Sequence, residues 1–266
     1  MITRSWAAAE LADVAATLPS ATLAEVTGLA SLQERVERRY MVPVNRVAEL
    51  VDRLATRYVA LDIDGLRSFA YQSVYFDTPD LLTYRQHLQG RRRRFKVRTR
   101  AYLDSADCMF EVKFKGLRDQ TVKAQLPYVL ADRTRITARA QAFLVDLLNS
   151  AYGQPAPLLA RRVTTSYRRT TLVDLERSVR VTCDVDFTCT GGGRRAVGPP
   201  LFVLVETKGI TAHNDADVAL RSLGLHPVQM SKYCIAVALL YPSVRSNRWH
   251  RTLHRYFAGT SDERAP

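Results

Sequence analysis

Several signatures that would settle a function at sight are missing from these 266 residues. No run of 18 or more apolar residues occurs, so no helix is expected to span a membrane. The four cysteines (Cys108, Cys183, Cys189, Cys234) form no CxxC pair and no metal-ligand spacing with the histidines. They read as small buried hydrophobes in a reducing compartment, not as a zinc site. The five histidines, His87, His213, His226, His250 and His254, are scattered and suggest no catalytic role. No phosphate loop of the GxxxxGKS/T type is present, and Gly191-Gly192-Gly193 reads as a turn between strands. The Ala-rich start is interrupted by Glu10 and Asp13, so residues 1–32 read as a helical extension and not a secretory leader. A cytoplasmic location is expected, either free or peripheral to a membrane. Acidic charge is the scarce kind: 26 Asp and Glu stand against 39 Lys and Arg, a formal net charge of +13. Such a chain attracts polyanions, but net charge does not say which.

What is present is alternation. Strands are expected at about 34–42, 70–76, 92–102, 108–115, 121–128, 162–172, 178–187 and 201–208. Between them, Val47, Leu50, Val51 and Leu54 fall on one helical face within 44–57. Asp77-Thr78-Pro79 predicts an N-cap with proline at the first helical position, opening a helix to about Leu88. Further helices are predicted at 135–151, 214–223 and 231–241, the last stopped by Pro242. Strands without regular βαβ alternation imply an α+β fold on antiparallel pairing.

Residues of one parity share a strand face. Arg94, Lys96, Arg98 and Arg100 oppose Phe95, Val97, Thr99 and Ala101. Glu111, Lys113 and Lys115 oppose Phe110, Val112 and Phe114; Arg180, Thr182, Asp184 and Asp186 oppose Val179, Val181, Cys183 and Val185. Glu206 and Lys208 share a face, as do Glu37 and Arg39. A single such strand would simply face water. Four of them make a self-repelling basic surface unless an anion neutralises it, with Glu37, Glu111, Asp184 and Glu206 as scattered partners. A closed antiparallel β-barrel with a basic interior, flanked by helices on its apolar exterior, satisfies the pattern. Guanidinium groups in such a lumen can grip phosphate oxygens bidentately.

Over about 33–242 the sequence resembles the VTC domain, the polyphosphate-polymerase branch of the triphosphate tunnel metalloenzymes. The resemblance is carried, in order, by Val36-Glu37-Arg38-Arg39-Tyr40, Tyr75-Phe76-Asp77-Thr78, Phe95 to Tyr102, Phe110-Glu111-Val112-Lys113, Thr121-Val122-Lys123, Tyr167-Arg168-Arg169, Arg180 to Asp184, Val205-Glu206-Thr207-Lys208 and Ser231-Lys232-Tyr233. It implies a tunnel that binds ATP or polyphosphate, with a divalent metal (Mn²⁺ or Mg²⁺) on a carboxylate. Arg98 and Arg100 resemble the paired tunnel arginines, Lys113 and Lys123 the lysines of neighbouring strands, and Arg169 and Arg180 the far-wall arginines, with Tyr167 beside the first. Glu206 resembles the metal carboxylate, and Ser231-Lys232 the start of a closing helix. Arg39 stands where relatives usually carry Lys, and its rigid fork would change the grip on phosphate.

The resemblance implies phosphoryl transfer, with ATP-dependent polyphosphate synthesis foremost. Two alternatives share the scaffold: hydrolysis of inorganic or nucleoside triphosphate, and non-catalytic polyphosphate binding. Hydrolase relatives carry ExExK on the first strand, whereas Arg35 to Arg39 keeps only one of those carboxylates. No nucleic acid is expected, because the aromatics share faces with aliphatics instead of standing among the basic residues. The basic tail, 243–266, sets Trp249, Leu253, Tyr256 and Phe257 at amphipathic spacing among Arg245, Arg248, Arg251 and Arg255. Docking on the domain itself is the default expectation; a membrane-protein partner or an acidic membrane is the alternative.

Overall fold

The structure, a computed structural model, describes residues 5–28, 36–116, 120–211, 214–259 and 263–264. Arg35 and His213 lie outside them. Eight antiparallel strands form the body of the sheet. In spatial order they are β2 (Val36–Pro43), β11 (Phe202–Gly209), β9 (Val179–Gly191), β8 (Ala160–Asp174), β4 (Phe69–Asp77), β5 (Phe95–Tyr102), β6 (Asp107–Lys115) and β7 (Thr121–Tyr128). Short strands extend it: β10 (Arg194–Val197) pairs with the far end of β9 and with β12 (Glu263–Arg264). On the other side β3 (Val59–Leu61) pairs with β8 and with β1 (Ser20–Ala21).

Alternation decides what each face meets. On β5, Phe95, Val97 and Ala101 are buried, and Phe95 and Val97 pack with Phe110, Val112 and Phe114 of β6 against α5 (Ala138–Tyr152). That helix is opened by the Thr137 hydroxyl, which accepts from the Ala140 amide, and closed by left-handed Gly153. The other half of the outer face is covered by α1 (Trp6–Ala16), α3 (Val47–Leu54) and α6 (Asp215–Ser222). A buried Asp217 fastens α6, accepting from the Tyr40 hydroxyl at 2.8 Å and from Arg38 at 3.0 Å. The short α2 (Leu23–Gly28) carries Val26 into a small cluster around β3.

The inner face is apolar at its two ends: Phe69 and Val173 join the small cluster around β3 at one, and a larger cluster closes the other. There Met41, Tyr75 and Leu204 pack with α4 (Leu82–Leu88), α7 (Lys232–Leu240) and α8 (His250–Tyr256). The tail folds back onto this cluster: Trp249 and Phe257 are buried, and Leu253 and Tyr256 pack beside them. Its apolar stripe is thus used internally. No helix among the described residues is long and apolar enough to cross a membrane. All four cysteines are buried free thiols.

Three sequence expectations need correction. The sheet curls but does not close: among the described residues β2 and β7 share no backbone pairing. The free edge of β2 is taken instead by the segment before α7, where the Val228 amide donates to the Arg39 carbonyl at 2.7 Å. β7 carries Pro127, which suits an edge strand. Pro79 is not the first residue of α4. The chain turns through left-handed Leu81 (φ 57°) and the helix begins at Leu82. Asp77 still binds the helix start, accepting from the amides of Thr83 and Tyr84. Finally, β9 carries a bulge opposite Tyr167, with Asp186 at φ 56°. Parity reverses there, so Phe187 and Cys189 face α7 while Asp186 turns outward to the Ser5 hydroxyl.

Candidate functional site

The curl is tightest where it can be measured by side chains. Lys113 on β6, seventh in spatial order, reaches Glu37 on β2, the first, at 3.3 Å. Across the other direction α7 spans the groove by its N-terminus. The Ser231 hydroxyl accepts from Lys96 of β5 at 2.9 Å, and Lys232 pairs with Asp184 of β9. The inner wall therefore collects Arg39, Lys96, Arg98, Arg100, Lys113, Lys123, Arg169, Arg180, Lys208 and Lys232 around Glu37, Glu111, Asp184 and Glu206. These ten cations exceed the four carboxylates by six.

Each carboxylate holds a set of cations. Glu111, 2% exposed, accepts from Arg98 Nε at 2.7 Å, from Lys123 at 2.8 Å and from Gln125 at 2.9 Å, with Arg100 at 3.6 Å. Burial works against its charge, but Arg98 and Lys123 outweigh that and hold its pKa below the usual carboxylate value. Asp184 takes Arg169 bidentately at 2.6 and 2.8 Å, together with Lys232; despite burial its pKa is also lowered. Arg169 stacks 5.3 Å from the Tyr167 ring, and burial raises the pKa of that phenol to about 12. Glu206 is paired to Arg39 at 2.7 Å and to Lys208 at 2.5 Å. Here too burial opposes the charge and the neighbouring cations overcome it. The Arg39 fork bridges two acids, with its other arm on Glu37 at 3.0 Å.

The lysines register the crowding. Burial brings both Lys96 and Lys208 down to about 8, and it lowers Lys123 and Lys232 as well. Donors are also left over. Arg100 Nε is buried without an acceptor among the described residues, as are the hydroxyls of Ser73, Thr165 and Thr182 on the same face. An unmade hydrogen bond in a buried cationic group leaves a donor for an acceptor from outside the chain.

Every residue that the resemblance singled out among the described residues lies on this wall or at the start of α7. Sequence reasoning passed over two more. Lys96 and Lys208 stand on the charged faces and inside the motifs that carry the resemblance, yet no role was given to them; their burial is what sets them apart. Arg94, placed on the wall by parity, lies just before β5, and its guanidinium donates to the Gly90 and Arg91 carbonyls. His87, on α4 near Lys96, is pushed down to about 2, chiefly by burial and next by the Lys96 charge.

The protein-family model that matches this chain is that of the VTC domain, and it spans residues 34–241. The chain belongs to the VTC domain family. Among curated proteins none matches it. Solved structures that resemble this VTC domain include a putative adenylate cyclase from Bacillus halodurans, 16% identical, covering 75% of this chain and 94% of the other with a TM-score of 0.46. Another is a putative adenylyl cyclase from Hippeastrum, described as having a dominant triphosphatase activity, at 12% identity, 77% and 96% coverage and a TM-score of 0.46. A conserved hypothetical protein from Pyrococcus furiosus matches at 12% identity, 76% and 99% coverage and a TM-score of 0.40. Likeness this loose carries no conclusion about activity.

Among the described residues no group of three or more His, Cys, Asp or Glu side chains could cage a metal ion. The donor set does fit a hard cation shared with a substrate. Glu37 and Glu206 are neighbours, bridged by the two arms of the Arg39 guanidinium at 3.0 and 2.7 Å. Magnesium characteristically uses one or two carboxylates and takes its remaining oxygens from phosphates and water.

Proposed function

We propose that this VTC domain transfers the terminal phosphoryl group of ATP to the end of a polyphosphate chain held in the groove. The observation that carries this reading is the surplus of positive charge on one partly buried wall, ten Lys and Arg against four carboxylates, with Arg100 Nε without an acceptor among the described residues. A condensed phosphate is an extended anion with acceptor oxygens along its whole length, which matches a wall of forked donors.

The four acids pair with the cations of the wall. Bound phosphates would take over the inward-facing donors of Arg98, Arg100, Arg169, Arg180 and Lys232, while Arg39, Lys113, Lys123, Tyr167 and Ser231 line the path. An oxygen of the chain's terminal phosphate attacks the γ-phosphorus of ATP and a new P–O–P bond forms. The bond to the β-phosphate oxygen breaks and ADP leaves with that electron pair. Little covalent help is needed, because positioning and charge neutralisation supply most of such a rate enhancement. Glu206, with Glu37 beside it, would hold Mn²⁺ or Mg²⁺, which when bound draws charge from the phosphate oxygens. For Glu206 to do so, Arg39 and Lys208 must turn to the substrate.

The test is incubation of the full chain with ATP and Mn²⁺ or Mg²⁺, with products resolved on a polyphosphate gel beside Arg98→Ala and Glu206→Ala. Chains made by the wild type and lost in both variants support the proposal. Free phosphate alone, lost in the same variants, replaces it with a triphosphate hydrolase. Binding without turnover, weakened by Arg98→Ala, replaces it with a polyphosphate-binding module.

A further inference from the structure

The groove leaves one concentration of charge unexplained. Between α4 and β5 the chain runs Arg91-Arg92-Arg93-Arg94, and the first three are exposed. With Arg85, Gln86 and Gln154 they line an open cavity of about 520 Å³ outside the groove. Arg85 is engaged by Asp80, and Arg91 donates to Gln89 at 2.9 Å. Among the described residues, Arg92 and Arg93 have no carboxylate in reach. Arg94 folds back on the Gly90 and Arg91 carbonyls and so fixes the course of the loop. Three guanidinium groups thereby stand along one cavity at the surface with no carboxylate partner among the described residues.

The position of the run tells what could lie there. Lys96, bonded to Ser231 at the end of the groove that α7 covers, is three residues beyond Arg93, about 10 Å along an extended chain. Cationic groups therefore continue from the wall of the groove over its rim. The surroundings favour a phosphate chain over other polyanions. Among the large hydrophobic side chains within 82–94 the cavity is lined only by Leu82, itself half-buried, so a membrane gains little apolar anchor there. The aromatic side chain within that span, Tyr84, is fully buried, so nucleobases find no stacking surface.

We propose that the Arg91–Arg93 cavity is a second, external binding site for condensed phosphate, engaging the part of a long chain that extends beyond the groove. The inference rests on the groove itself binding phosphate chains. It predicts two length classes of ligand: short chains served by the groove alone, and long chains gripped at both places.

The experiment measures binding of tripolyphosphate and of polyphosphate of about 100 units, over a range of salt, to the full chain. Wild type is compared with Arg98→Ala and with a combined Arg91→Gln, Arg92→Gln, Arg93→Gln variant whose fold is checked by thermal melting. In the triple variant the long chain should bind about tenfold more weakly with a shallower salt dependence, since fewer counterions are displaced. Tripolyphosphate affinity should stay within about twofold, whereas Arg98→Ala should weaken both ligands. Unchanged long-chain binding in the triple variant overturns the proposal, and so does an equal loss of tripolyphosphate binding. A wild type that binds long chains through the arginine run but takes no tripolyphosphate would overturn the groove reading and leave the external site standing. Vesicles containing phosphatidylserine complete the set: lipid binding that depends on the run, with polyphosphate binding untouched, would assign it to a membrane and refute the proposal.

Discussion

Glu111 provides the most discriminating single substitution, because its effects on stability and on binding have opposite signs. Its carboxylate is 2% exposed and meets Arg98, Lys123 and Gln125, with Arg100 slightly farther away. Glu111→Gln keeps the shape and removes the charge. Stranding one partner of a buried ion pair usually costs about 3–5 kcal/mol. Here Lys123 is 40% exposed and can turn to water, so about 2–3 kcal/mol is expected. For a chain of this size that corresponds to a fall of about 4–12 °C in Tm. Binding should move the other way. A negative charge roughly 7 Å from a phosphate repels it by about 2 kcal/mol at an effective dielectric constant near 20, and salt reduces that. Tripolyphosphate should therefore bind about tenfold more tightly to the variant, and saturating ligand should restore much of the lost Tm. Because the folded pKa is depressed, the stabilisation by Glu111 is present above its unfolded value of about 4.3 and is lost as pH falls through the folded one. The gap between variant and wild type should accordingly shrink in acid. Calorimetric melts and titration calorimetry read both quantities. A variant as stable as wild type, or one that binds the ligand more weakly, would refute the reasoning.

Three further outcomes follow from the same geometry. Lys96 and Lys208, with pKa values near 8, carry their charge below that pH and lose it above. Tripolyphosphate affinity should thus fall several-fold between pH 7 and 9, and Lys208→Arg should flatten the titration; a profile that is flat in wild type would contradict the role given to burial. Asp77 is completely buried and accepts from the Thr78, Thr83 and Tyr84 amides and from the Thr83 and Tyr233 hydroxyls. Asp77→Asn sets an amide nitrogen against donors and should lower stability by about 2–4 kcal/mol in a denaturant melt. A methyl group on Gly191 would sit 2.3 Å from the Arg162 carbonyl oxygen, a backbone atom that cannot step aside, so Gly191→Ala should destabilise by about 2 kcal/mol or more. An unchanged denaturation midpoint would show that β8 and β9 can part there.

Much of the wall was legible because strand alternation is a strict rule. Once Phe95, Val97 and Ala101 are assigned to a core, Lys96, Arg98 and Arg100 must face the other way, and they do. Helix α3 was equally plain, its four apolar positions all buried. Alternation fails where the backbone departs from it. The bulge at Tyr167 and Asp186 reversed the faces of β9 without any residue type to announce it. The start of α4 was misplaced because Asp77 caps from a distance, through a left-handed residue, and not from the adjacent position. Closure of the sheet was the larger miss. Whether two edges join depends on what else reaches them, and the amide of Val228 arrives at β2 from nearly two hundred residues away in sequence. The ion sets were legible in kind but not in pairing: parity placed Glu206 among cations, yet only the register of β2 with β11 puts Arg39 directly opposite it.

The missing pairing between β2 and β7 changes how a polymer can arrive. A continuous ring of hydrogen-bonded strands admits a long molecule only by an end, one unit after another. Here, beyond the part of the β2 edge that the Val228 segment takes, β6 and β2 meet through the side chains of Lys113 and Glu37, both partly exposed. Parting that pair breaks no strand ladder among the described residues. On the proposed function, a phosphate chain would then enter this side of the groove along its length, and loading would not require a free terminus.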